Sequence, residues 1–286
     1  MAMRELWVQA ICLLGFFLNS NINGDAQPLL HSLQLHRAMG AVAASSPVQS
    51  YSAAVNPAFI ASASTLQCAL GGEQRFLAPG WIEFSSSLVV PVSSGAWAIM
   101  IGQEGLPFSY EQQAVITHGR KIGNDLSVGA SLGVRRIKAN QFAAVLSTVG
   151  AVGLVIPVSS SVKTSLSLTY LPSVSSVGFS KKDYSVFRFS LGYTVSEKIQ
   201  LMAAVTKQAL WPSAGCIAMQ YQPQQKMGFS AGFAGSPSMV WFGLQLGLGT
   251  GWILQLHSGY YPLTGVSNGM NLSYVKQEKN NWANEP

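Results

Sequence analysis

The chain has 286 residues, of which 48% are hydrophobic and only 10% charged, with a formal charge of +6 and a mean hydropathy of +0.27. Soluble domains carry about 25% charged residues, so the composition points to lipid as solvent, with an apolar soluble β-sandwich as the competing reading. The basic residues are scattered and accompany no nucleic-acid motif, which argues against a DNA or RNA partner.

Residues 1–26 have the layout of a secretory signal peptide: Arg4, then the apolar run LWVQAICLLGFFL, then the small-residue site Gly24-Asp25-Ala26. The run is too short to span a bilayer, which takes about 20 residues, and Cys12 inside it has no lipidation context. Cleavage removes one base and two acids, so +6 becomes +7 in the mature chain. Residues 27–64 do not alternate. Pro28–Ala44 carries leucines at helical spacing and is followed by a Ser/Ala-rich run. This segment is expected to fold back as a plug, the alternative being a loose periplasmic lead-in, because a wide barrel holds water unless something fills it.

From residue 65 the apolar pattern has period two, the signature of strands with two different faces. Fourteen strands are predicted: Thr65–Arg75, Trp81–Val90, Ala96–Gln103, Tyr110–Lys121, Leu126–Lys138, Ala143–Ile156, Val162–Leu171, Val186–Val195, Ile199–Gln208, Cys216–Tyr221, Met227–Phe233, Met239–Leu248, Trp252–Tyr260 and Ser267–Lys276. Tight polar turns alternate with generally longer connections, and no apolar run past the N-terminus is long enough for a helical span. Since only helices and closed barrels satisfy the backbone in lipid, the fold class is all-β: a transmembrane antiparallel β-barrel over 65–276, with a polar tail at 277–286. An even strand count puts both chain ends on the short-turn side, which for bacterial outer-membrane barrels is the periplasm.

In Leu126–Lys138, Val128, Ala130, Leu132 and Val134 alternate with Ser127, Gly129, Ser131 and Gly133; the first set should face lipid and the second the lumen. Trp81, Tyr110, Tyr170, Phe187, Trp252, Tyr260 and Tyr274 suit interfacial girdles, and Arg136 and Lys207 share the lipid parity near strand ends, where their stems can snorkel. Strand glycines such as Gly129 and Gly133 read as bulges or as clearance for a plug. Cys68 and Cys216 read as free thiols.

Catalysis finds no support. The mature chain holds two aspartates, Asp125 in a short turn and Asp183 in the longest loop, and only His257 lies mid-strand on a lumen face. No His/Cys/Asp/Glu set has metal-ligand spacing and no phosphate loop precedes a helix, so no metal or cofactor is expected. The candidate polar site is the lumen, toward which Glu73, Arg75, Glu83, Arg135, Arg188 and His257 point by parity. Mixed acids and bases there either pair and hold a plug or form a polar constriction or a contact for cargo.

Asn56-Pro57-Ala58, just before the first strand, resembles the NPA element of FadL-type hydrophobic-compound transporters and of the PorV- and PorP/SprF-type barrels of type IX secretion. The mature chain also resembles a group of Bacteroidota outer-membrane barrels, through NPAFIA, LGGEQRF (70–76), the YEQQ…HGRKIG hairpin (110–123) and GVSNGMNLSY (265–274). The resemblance implies a fourteen-stranded outer-membrane barrel with an N-terminal hatch. Its implied role is transport of a hydrophobic or polymeric cargo, the partners being outer-membrane lipid and a hydrophobic ligand. The alternative is a non-conducting anchor or scaffold that binds a secretion-system protein. The short external loops depart from the FadL pattern, so no transport residues carry over.

Overall fold

The computed structural model describes residues 51–123, 126–140, 142–172, 174–176, 179–181, 184–209, 212–224, 226–235 and 238–276. The signal segment, Pro28–Ala44, Asp125, Asp183 and the tail at 277–286 lie outside the described residues.

Among the described residues sixteen strands follow one another: β1 (Gln67–Gln74), β2 (Ile82–Val92), β3 (Gly95–Leu106), β4 (Ser109–Ile122), β5 (Leu126–Ala139), β6 (Val145–Pro157), β7 (Val162–Leu171), β8 (Val174–Ser176), β9 (Phe179–Lys181), β10 (Tyr184–Ser196), β11 (Ile199–Gln208), β12 (Ala214–Gln224), β13 (Met227–Gly235), β14 (Ser238–Gly247), β15 (Trp252–Tyr261) and β16 (Gly265–Val275). All but β8 and β9 form one closed barrel of fourteen strands, with each strand beside its chain neighbour and β1 closing the ring on β16. β8 and β9 pair with each other in the connection between β7 and β10. Closure leaves no sheet edge, which is the condition for backbone in lipid.

The alternation sorts the wall as the sequence predicts. In β3, Ala96, Ala98 and Met100 are buried while Trp97, Ile99 and Ile101 are exposed. Leu132 and Leu146 stand out at 65% and 71% exposure, with Ile217 and Phe242 close behind. An apolar surface running around a closed barrel is a bilayer-facing surface. Tyr170, Phe187, Trp252 and Tyr260 are exposed on it. Arg136 lies over the ring of Tyr110 and donates to Gln112 Oε1 at 3.2 Å, near the strand end.

β1 begins and β16 ends at one rim, called here the terminal rim; the opposite one is the distal rim. At the distal rim the strands run further than the alternation suggests. β3 continues to Leu106 and β4 starts at Ser109, so the loop expected over Glu104–Ser109 shrinks to Pro107-Phe108 and Glu104 becomes a wall residue. Gly105, at φ +128°, allows that continuation, since a Cβ there would run into the backbone of β4.

Arg75 and Trp81 differ from expectation in the other direction. β1 stops at Gln74, and Arg75–Leu77 form a 3-10 turn with Phe76 and Leu77 at φ 53° and 50°. Two consecutive left-handed residues with side chains need outside support. Phe76 N donates to Ser267 Oγ at 3.0 Å, and its ring meets Trp81 and Tyr261 edge-on at 5.4 and 5.2 Å. Trp81 therefore packs within this turn rather than in the lipid-facing girdle.

Candidate functional site in the barrel lumen

The last residues before β1 lie inside the barrel. Ser52–Ala54 and Pro57–Ser62 are short 3-10 helices, and Tyr51, Val55, Asn56 and residues 57–61 are all buried. Asn56 starts the second helix as a side-chain cap: its Oδ1 accepts from Ala58 N at 2.9 Å, and proline follows at the first helical position. The same amide faces the wall, where Nδ2 donates to the carbonyls of Leu154 and Leu166, both at 3.0 Å. One side chain thus caps the helix and bonds it to β6 and β7.

The contact runs along one inward row of the ladder. Ala96, Gly119, Gly129, Gly153, Ser167, Arg188 and Thr206 stand opposite one another on β3, β4, β5, β6, β7, β10 and β11. Ser167 Oγ and Arg188 Nη1 donate to Val55 O at 2.9 and 3.3 Å, and Arg188 Nε donates to Thr206 Oγ1 at 3.2 Å. Asn56 and Pro57 lie against Gly153, Pro57 and Ala58 against Gly129, and Ile60 and Ala61 against Gly119. Of the candidate polar residues, Arg188 is therefore placed on the segment ahead of β1.

Glu73, Arg75, Glu83 and His257 come together at the distal end, joined by Glu104. His257, Gly269, Glu73, Glu83, Glu104 and Glu111 occupy a second row, across β15, β16, β1, β2, β3 and β4. Arg75 reaches into this row from the turn, with Nε 3.5 Å from Glu73, and Nη2 3.3 Å from Glu83 and 3.6 Å from Glu104. His257 Nε2 lies 3.3 Å from Glu73 Oε2, its ring passing over Gly269, where a Cβ would overlap it. Arg135 stands apart, with Nη1 3.8 Å from Glu111 and Nε donating to Ser147 Oγ.

Glu104 and Glu111 escape a sequence reading. The first reads as a loop residue, and the pairing that sets Glu104 beside Glu83 and Glu111 beside Glu104 is a register between strands, which no single strand displays. The rows lie eight residues apart on β4, from Glu111 to Gly119, on the order of 25 Å along the strand.

The inward side of β11–β15 carries an apolar patch as well as the buried Gln208 and Gln245. Met202, Ala204, Cys216, Ala218, Ala234, Met239, Trp241 and Tyr261 form one buried cluster with Val55, Ala58 and Phe59 of the segment ahead of β1 and with Val155 of β6, and Phe76 packs against it. Cys68 and Cys216 are free thiols. Among the described residues, no group of three or more His, Cys, Asp or Glu is placed to hold a metal ion.

Neither a family model nor a curated protein sequence matches the chain. Solved structures do. The deltaS2 mutant of the TodX monoaromatic hydrocarbon channel matches with a TM-score of 0.59 at 11% identity, over 80% of this chain and 94% of that one. The Ralstonia pickettii toluene transporter TbuX gives 0.57 at 12% identity, over 79% and 93%. The Pseudomonas putida toluene transporter TodX gives 0.54 at 10%, over 77% and 90%. At such identities the likeness is one of architecture: this chain has the barrel fold of these channels.

Proposed function

We propose that the protein is an outer-membrane channel for small apolar molecules, with residues 27–64 as its plug and both chain ends in the periplasm. The carrying observation is the apolar lining, which continues from Phe59 of the plug segment, along Met202, Cys216, Ala218 and Trp241, to Tyr261 and Phe76 at the distal turn. A polar half beside it holds charges that are already engaged with one another. Such a lumen favours an apolar cargo over a polymeric, hydrophilic one. The resemblance of Asn56-Pro57-Ala58 to the FadL-type element supports the same reading, as does a fold shared with proteins described as hydrocarbon channels. The wall is hydrogen-bonded between every pair of neighbouring strands, which favours movement within the lumen over a standing side opening.

A second reading, a non-conducting scaffold of the PorV type, draws on the short distal connections such as Pro107-Phe108. Uptake separates the two. Expressed in a Gram-negative host with an intact outer membrane, the protein should raise entry of a radiolabelled monoaromatic hydrocarbon and leave entry of a sugar unchanged. Equal entry of the hydrocarbon with and without the protein would remove the transport reading.

A further inference from the structure

Three glycines in register on adjacent strands are unusual in a sheet, where glycine costs conformational entropy and packs nothing. Gly119, Gly129 and Gly153 face inward on β4, β5 and β6. A Cβ at Gly153 would overlap Asn56 Oδ1, and one at Gly129 would overlap the Pro57 carbonyl. At Gly119 it would stand 2.8 Å from both the backbone N of Ala61 and Ile60 Cγ1. Each conflict is with the plug segment, and at Gly129 the nearest atoms are all plug backbone, which cannot swing aside as a long side chain would. On the β6–β10 side of the row polar atoms complete the contact: Asn56 Nδ2 on the carbonyls of Leu154 and Leu166, and Ser167 and Arg188 on Val55 O.

We propose that this glycine row is a seat that latches the plug to the β4–β7 wall and keeps the pore closed, resting on the plug assignment made above. The plug is hydrogen-bonded to β6, β7 and β10 through Asn56 and Val55 O, and to β2 through Tyr51 OH on Ser85 O. Toward β11–β14, Val55, Ala58 and Phe59 share an apolar cluster with Met202, Ala204, Cys216, Ala218, Ala234, Met239 and Trp241. Cargo passes on that side while the seat stays occupied, so the latch blocks ions and small polar solutes without blocking the apolar route.

Gly150 supplies the control on the same strand. It stands opposite Leu132 and Tyr170, both exposed on the outer face, and a Cβ there meets only Ser131 O at 3.9 Å. The test is single-channel conductance of the mature protein in planar bilayers, for wild type, Gly129→Val, Gly153→Val, Asn56→Ala and Gly150→Val. Wild type and Gly150→Val are expected to stay closed or nearly so. The two seat valines and Asn56→Ala should conduct at least several-fold more, while heat-modifiable migration shows their barrels intact. Asn56→Ala adds no atom to the lumen, so it tests the same latch if a valine prevents closure of the barrel. Seat variants as silent as Gly150→Val would overturn the latch. The readout needs no cargo: open seat variants beside an absence of hydrocarbon uptake would sink the transport reading and leave the latch standing.

Discussion

Arg75 is the residue on which the distal end turns. Its guanidinium touches three buried carboxylates, Glu73, Glu83 and Glu104. Removing one partner from a buried charge set costs about 3–5 kcal/mol, because the charges left behind keep their desolvation penalty. Arg75→Met should lower stability by that order in urea unfolding followed by loss of the heat-modifiable form. Adding Glu104→Gln should recover part of the loss, and a double variant no more stable than the single one would mean that the cluster is not coupled. Facing is tested on a neighbouring pair. Leu132 is on the outer wall, whereas Ser131 points inward, its Oγ 2.9 Å from Thr117 Oγ1. Leu132→Arg is expected to cost about 2–4 kcal/mol near mid-membrane, and Ser131→Arg to cost less; equal losses would reverse the facing assigned here.

At the scale of elements, the fourteen barrel strands are legible from the sequence pattern, because lipid on one side and a polar or small lumen on the other leave period-two alternation, whereas β8 and β9 fall in a stretch that reads as a loop. Strand ends were less legible. Past the hydrocarbon the outer face no longer demands apolar residues, so Glu104 and Tyr110 read as loop and loop edge although the ladder runs through Leu106 and Ser109. Arg75 illustrates the reverse: its parity continues β1, but Phe76 and Leu77 turn left-handed and carry it into the lumen from above. The hairpin of β8 and β9 pairs with itself and not with the barrel ladder. Deleting Val174–Lys181 should therefore leave a barrel with unchanged heat-modifiable migration. Failure of that deletion to fold would show that the hairpin is needed for β7 to find β10.

The whole molecule is asymmetric about the barrel axis. The glycine row lies near the terminal rim on β4–β6, the carboxylate row near the distal rim on β15, β16 and β1–β4, and the apolar cluster on β11–β15 against the segment ahead of β1. Single residues in these rows could be read from parity, as Glu73, Glu83 and Arg188 were. The rows themselves could not, since they arise where inter-strand registers bring side chains of distant segments level with one another. In the sequence Gly129 reads as a bulge or as clearance for a plug, and its alignment with Gly119 and Gly153 is not visible there. The asymmetry is what favours a channel over an inert scaffold, and it bears on what travels with the protein in its own membrane. The most direct measurement is purification of the native protein from that membrane in mild detergent, with mass spectrometry of everything retained. The account predicts an apolar small molecule in stoichiometric amount and no stoichiometric protein. A stoichiometric protein partner with no apolar molecule would contradict it.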